Sequence, residues 1–140
     1  MLFLKTLFSL CLFFNLGIMS ANSQNTVPPP KVIKSAYTNI PEVNNWVTVP
    51  KGTEEITIFV EAENTETVLF WIIPTGTQTW WERRLIGYAV NTDKEGTFNS
   101  PQTFSFTWKI DKPFLHDHIE VQLIGMHEMT GGGSINISMD

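Results

Sequence analysis

Apolar and polar residues alternate with a period of two along much of this chain, the pattern of strands buried on one face. Between Glu55 and Glu63, Ile56, Ile58, Val60 and Ala62 form one row and Thr57, Phe59, Glu61 and Glu63 the other. Asn64-Thr65-Glu66 supplies turn chemistry. From Val68 to Ile73 both rows are apolar, which predicts an internal strand ended by Pro74-Thr75-Gly76. A further strand is expected from Glu82 to Val90. If the extended chain includes the adjacent Trp80 and Trp81, they point to opposite faces. Asn91 to Gln102 reads as a polar loop. Phe104, Phe106, Trp108 and Ile110 then form an inward row, closed by Asp111-Lys112-Pro113. Ile119, Val121 and Leu123 alternate with His118, Glu120 and Gln122. Gly131-Gly132-Gly133 reads as a loose loop before a last strand carrying Ile135, Ile137 and Met139. A less regular first strand lies between Val43 and Val49. No stretch beyond a few residues has helical spacing. About seven strands with turn signals between them predict an all-β, antiparallel β-sandwich, with a small barrel as the competing architecture.

The N-terminal pattern is different. Lys5 precedes an apolar run from Leu7 to Ile18, and small polar residues follow it. Positive start, apolar middle and small-residue exit predict a secretory leader. Ala21 and Ser23 flank Asn22 in the small-x-small arrangement, which places cleavage after Ser23. The run of about 12 apolar residues falls short of the roughly 17–25 that a membrane-spanning helix needs. The expectation is therefore export without stable membrane insertion. Leu10 stands where a lipoprotein signal carries a small residue before its cysteine, which argues against lipid attachment at Cys11. The expected organisation is a signal peptide over 1–23, a spacer over 24–42 containing Pro28-Pro29-Pro30, and a sandwich over 43–140.

Charge removes some partners. The chain has 9 Lys and Arg against 14 Asp and Glu, a formal net charge of −5. An acidic chain without a basic stripe argues against nucleic acid and anionic lipid. The only cysteine lies within the leader, so the exported form has neither a disulfide nor a thiol nucleophile. A domain of about 115 residues is large enough to rest on an apolar core.

The run ITIFVEAENTETVLFWIIPTGTQTWWERRLIGYAV, followed by FSFTWKI and HIEVQLIGMHE, resembles the bacterial immunoglobulin-like domains of exported proteins. The resemblance covers Val43 to Met139. It implies an immunoglobulin-like sandwich acting as a spacer, adhesion or accessory binding module in the cell envelope or outside the cell. The cysteine pair of antibody domains is missing.

Candidate chemistry is sparse. His116, His118 and Glu120 share one row of a predicted strand, and imidazoles two residues apart can share a metal. The alternative is a solvated strand entry. His127-Glu128 is not a zinc-protease motif, because Gly131 stands where the second histidine belongs. No serine has a nucleophile-elbow context. Neither enzymatic activity nor a cofactor is expected. The aromatic residues offer more. Phe59 and Trp71 face away from the predicted core, and with Trp80, Trp81 and Arg83 they form a candidate surface for a protein or a carbohydrate partner. Otherwise Phe59 and Trp71 pair across neighbouring strands, covered by a tryptophan of the Trp80-Trp81 pair and by arginine stems. An exported protease inhibitor is the second functional reading, with the Asn91–Gln102 and Gly131–Gly133 loops as its contact elements. Asn136-Ile137-Ser138 fits a glycosylation triplet but falls inside a predicted strand.

Overall fold

The computed structural model describes residues 26–76 and 79–140, so the leader lies outside the described residues. Nine strands occur among them: β1 (Lys31–Thr38), β2 (Glu42–Val43), β3 (Trp46–Val49), β4 (Glu55–Glu63), β5 (Thr67–Pro74), β6 (Arg84–Val90), β7 (Gln102–Lys109), β8 (His116–Ile124) and β9 (Met129–Met139). They form a β-sandwich of a three-stranded sheet, β1-β4-β7, and a six-stranded sheet, β2-β3-β9-β8-β5-β6. Placing β9-β8-β5-β6 over β1-β4-β7 gives the G-F-C-C′ and A-B-E order of an immunoglobulin-type sandwich.

The alternating rows become the core. Ile56, Ile58, Val60 and Ala62 of β4 are buried against Val68, Phe70 and Ile72 of β5 and Ile119, Val121 and Leu123 of β8. Phe104 and Trp108 complete the three-stranded sheet's contribution, while Phe106 and Ile110 are half-buried. Each such side chain contributes about 1.5–3 kcal/mol relative to exposure, the main force holding the sheets together.

Four expectations need correction. Lys31–Thr38, within the stretch read as spacer, forms β1 and pairs antiparallel with β4. Two register irregularities in that pairing, between Val32 and Lys34 and between Lys34 and Tyr37, break the alternation that would have exposed it in the sequence. The sandwich is also not wholly antiparallel. The chain leaves one sheet after Thr38 and enters the other, where β3 runs parallel to β9 through Val47↔Ile137 and Val49↔Met139. Asn44 and Asn45, with φ of 50° and 64°, make the two-residue turn between β2 and β3. Gly131–Gly133 is not a loop but part of β9. Glycine is needed there: a Cβ on Gly133 would lie 2.1 Å from Ser35 Oγ, and one on Gly132 would lie 2.8 Å from Val121 Cγ1. Finally, Trp80–Glu82 is a 3-10 turn and not the start of a strand.

The sheets approach each other closely at the edge where β6 meets β7. The Phe106 ring occupies the space that a side chain on Gly87 would fill, and it stacks on Phe70 at 5.7 Å between centroids. This contact sets how β6 sits on the core.

Candidate functional site

The outer face of the six-stranded sheet collects most of the aromatic candidates. Trp71 of β5 pairs with Leu85 of β6 on one side and Glu120 of β8 on the other. Leu69 pairs with Tyr88, and Thr67 with Val90, so these side chains share the solvent face. Leu85, Tyr88 and Val90 are exposed, Tyr88 at 64% and Val90 at 57%.

The connection between β5 and β6 folds back over Trp71. Thr75 N–H donates to His116 O at 3.2 Å. The 3-10 turn closes with Glu82 N–H to Thr79 O at 2.9 Å and Arg83 N–H to Trp80 O at 3.2 Å. The Arg83 guanidinium is then inserted between two indoles, with Cζ 4.4 Å from the Trp80 ring centre and 5.1 Å from that of Trp71. Each such contact contributes about 0.5–1 kcal/mol at exposed sites and more when desolvated. Arg83 Nη1 donates to Trp80 O at 3.4 Å, and Nε is buried without a partner among the described residues. Trp71 Nε1 donates to Gln122 Oε1 at 3.3 Å, which fixes the indole on the sheet. At the base of the turn, Arg84 grips Asp111 through two bonds of 2.8 Å each. That donor pair holds the Asp111 carboxyl below its ordinary value.

Trp80 and Trp81 are adjacent, yet neither is buried, because the 3-10 turn does not alternate faces as a strand does. Trp80 covers Arg83, and Trp81 projects into solvent at 85% exposure. The face is polar beyond Trp71. Burial raises the Glu120 carboxyl above its ordinary value, against the opposing effects of a hydrogen bond from Ser134 and the nearby His118.

Phe59 does not belong to this group. It lies on β4, in the opposite sheet, and stacks on its cross-strand partner Tyr37 at 5.2 Å. Lys34 Nζ covers the Tyr37 ring at 3.8 Å. The predicted Trp-Trp-Phe surface is thus split between two faces. Trp71 is covered by Arg83, which also stacks on Trp80, and not by Phe59.

The histidine row has other partners. His118 Nδ1 bonds Asn136 Oδ1 at 2.6 Å, and the His116 ring tilts against Trp46 at 5.1 Å. Asp117 between them turns inward, 2% exposed, and accepts from Lys112 Nζ at 2.6 Å and from His116 N–H at 3.0 Å. Among the described residues no three His, Cys, Asp or Glu side chains gather as metal ligands. Asn136 of the glycosylation triplet also donates to Asn45 O at 2.9 Å from within β9. The Asn91–Gln102 loop is held by its own side chains, with Asp93 accepting from Glu95 N–H, Thr97 Oγ1 and Phe98 N–H. These three bonds lower its carboxyl.

Sequence reasoning missed Leu85, Tyr88 and Val90. A register irregularity between Phe70 and Trp71 leaves Ile86 without a partner on β5, so Leu85 and Tyr88 share a face at a spacing that period two does not reveal. The signal was the run of apolar residues with little charge after Arg84.

No protein-family model matches the chain, and no curated protein matches it. Solved structures do match, 23 chains in all. One belongs to the structure described as "Structural basis of T cell specificity and activation by the bacterial superantigen toxic shock syndrome toxin-1". It is 12% identical, with a TM-score of 0.51, over 79% of this chain and 100% of that chain. At this identity the likeness is one of fold. No helix among the described residues is long and apolar enough to cross a membrane.

Proposed function

We propose that this chain is an exported, non-enzymatic binding module of the bacterial immunoglobulin-like kind, which engages a protein partner through the outer face of its six-stranded sheet. One observation carries the reading: Trp80, Trp81, Leu85, Tyr88 and Val90 are all exposed, the last three on the outer face of β6 and the two tryptophans on the turn that leads into it. Single apolar residues scattered over a surface need no explanation, but several on one strand and its leading turn, with aromatic anchors among them, are what an interaction site presents. Trp81 is the anchor, Arg83 and Trp71 its rigid support, and the Glu120–His118 side a polar rim.

A protein fits better than a sugar. Sugar rings stack on open aromatic faces, and Arg83 covers those of Trp71 and Trp80, leaving Trp81 and Tyr88 as separate apolar contacts of the kind a protein partner takes up. Export rests on the leader pattern. The non-enzymatic reading is supported by Asp93 and Asp111, whose carboxyls are held below their ordinary values by separate local hydrogen-bond partners.

The test is affinity capture from the cell-surface fraction of the source organism, followed by direct binding of the identified partner. Trp81→Ala is expected to weaken binding at least tenfold (about 1.4 kcal/mol) with unchanged thermal stability. Full retention by Trp81→Ala and Tyr88→Ala together would reject this face. A glycan array that captures the protein when no protein partner does would replace the partner class. Inhibition across a protease panel would support the regulator reading instead.

A further inference from the structure

Four strands end the two sheets, and three of them carry features that discourage pairing with another chain. β2 is two residues long and follows Pro41. β1 carries Lys31 and Lys34 and two register irregularities. β7 has Pro101 immediately before it and ends on Lys109. Short length, lysine, proline and bulges are the devices by which proteins blunt exposed edges. β6 is the exception. After Arg84 it reads Leu-Ile-Gly-Tyr-Ala-Val, without lysine, proline or acid, and Arg84 itself is neutralised by Asp111. Its ladder to β5 uses one side of the strand, and no strand pairs with the other side among the described residues.

We infer that this open edge of β6 pairs antiparallel with the β6 edge of a second copy of this chain. The local sequence is self-complementary. A two-fold axis at Ala89 sets Tyr88 of each copy beside Val90 of the other, two aromatic–β-branched pairs on one face. The residues of β6 that face each other in this register, Tyr88, Ala89 and Val90, carry no charge. An open recess runs along Ala89 and Val90, bounded by Thr103 and Ser105 of β7, so the edge is reachable there. Pairing joins the two six-stranded sheets into one and places two copies of the Trp81 surface on the same side. The inference rests on the edge itself and stands apart from the identity of any other partner.

Sedimentation velocity of the purified protein across a concentration series tests it. A shift from monomer to dimer with rising concentration is expected. Tyr88→Lys and Val90→Lys, at exposed positions that the fold tolerates, should each weaken association at least tenfold. Met129→Lys, on the same outer face but on β9, should leave it unchanged. A protein that stays monomeric throughout overturns the inference. So does a dimer that ignores both β6 lysines, or one broken only by Met129→Lys, which signals face-to-face packing. Trp81→Ala should keep the dimer while losing the partner proposed above, so the two readings fail separately.

Discussion

Gly87→Ala probes the contact that seats β6 on the core. An alanine Cβ would lie 2.2, 2.3 and 2.6 Å from Cζ, Cε2 and Cδ2 of Phe106. Carbon atoms rest about 3.5–4.0 Å apart, so ring and strand must separate by more than about 1 Å. The ring has little freedom to retreat, because it is stacked at 5.7 Å on Phe70, which is fully buried. Overpacking of this kind costs about 1–3 kcal/mol. For a domain of this size that lowers Tm by roughly 4 °C per kcal/mol. Urea denaturation should show a lower midpoint at unchanged slope. The double variant Gly87→Ala/Phe106→Leu should be more stable than the sum of the single changes by about 0.5 kcal/mol or more, because the shorter side chain admits the methyl group. A Gly87→Ala protein within about 0.5 kcal/mol of the parent, with no coupling to Phe106, would refute the close seam between β6 and β7.

Three further outcomes follow from the same structure. Trp81→Ala should change stability by less than about 0.5 kcal/mol, while Trp71→Ala, which removes the base of the arginine stack, should cost about 2–3 kcal/mol by thermal unfolding. Lys112→Met should destabilise by about 2–3 kcal/mol and by more than Asp117→Asn, because it strands a buried carboxylate, whereas the amide keeps neutral contacts; denaturant midpoints rank the two. Burial raises Glu120 above its ordinary 4.5, so the folded protein holds that proton more tightly than the unfolded chain. The resulting stability is full at low pH and is lost as pH rises through the raised value, so Glu120→Gln should increase stability at neutral pH and flatten that part of the profile.

The sequence revealed the fold wherever alternation is unbroken. The inward rows of β4 and β8 were legible because each has a regular partner and one dry face. β1 was not, because its irregular pairing scrambles the period and three prolines precede it. The glycines of β9 read as a loop because local propensity favours one, but at Gly132 and Gly133 tertiary packing against Val121 and Ser35 demands the missing side chains. The parallel β3–β9 pair joins residues about ninety positions apart, a partnership that no local pattern encodes. The site was half legible. Trp71, Trp80, Trp81 and Arg83 were recognised by type, and the 3-10 turn brings them together. Phe59 was included because it shares an outward row, but an outward row does not specify which sheet carries it. Tyr88 and Val90 were lost to the irregularity at Ile86.

The most direct test of the binding face compares its two sides in a single assay. Affinity of the captured protein partner for Trp81→Ala, Tyr88→Ala and Phe59→Ala should be measured by biolayer interferometry, with thermal stability of each variant as the control. Losses of at least tenfold (about 1.4 kcal/mol) are expected for the first two, and none for Phe59→Ala on the opposite sheet. Equal affinity for all three, or a loss confined to Phe59→Ala, would contradict the assignment.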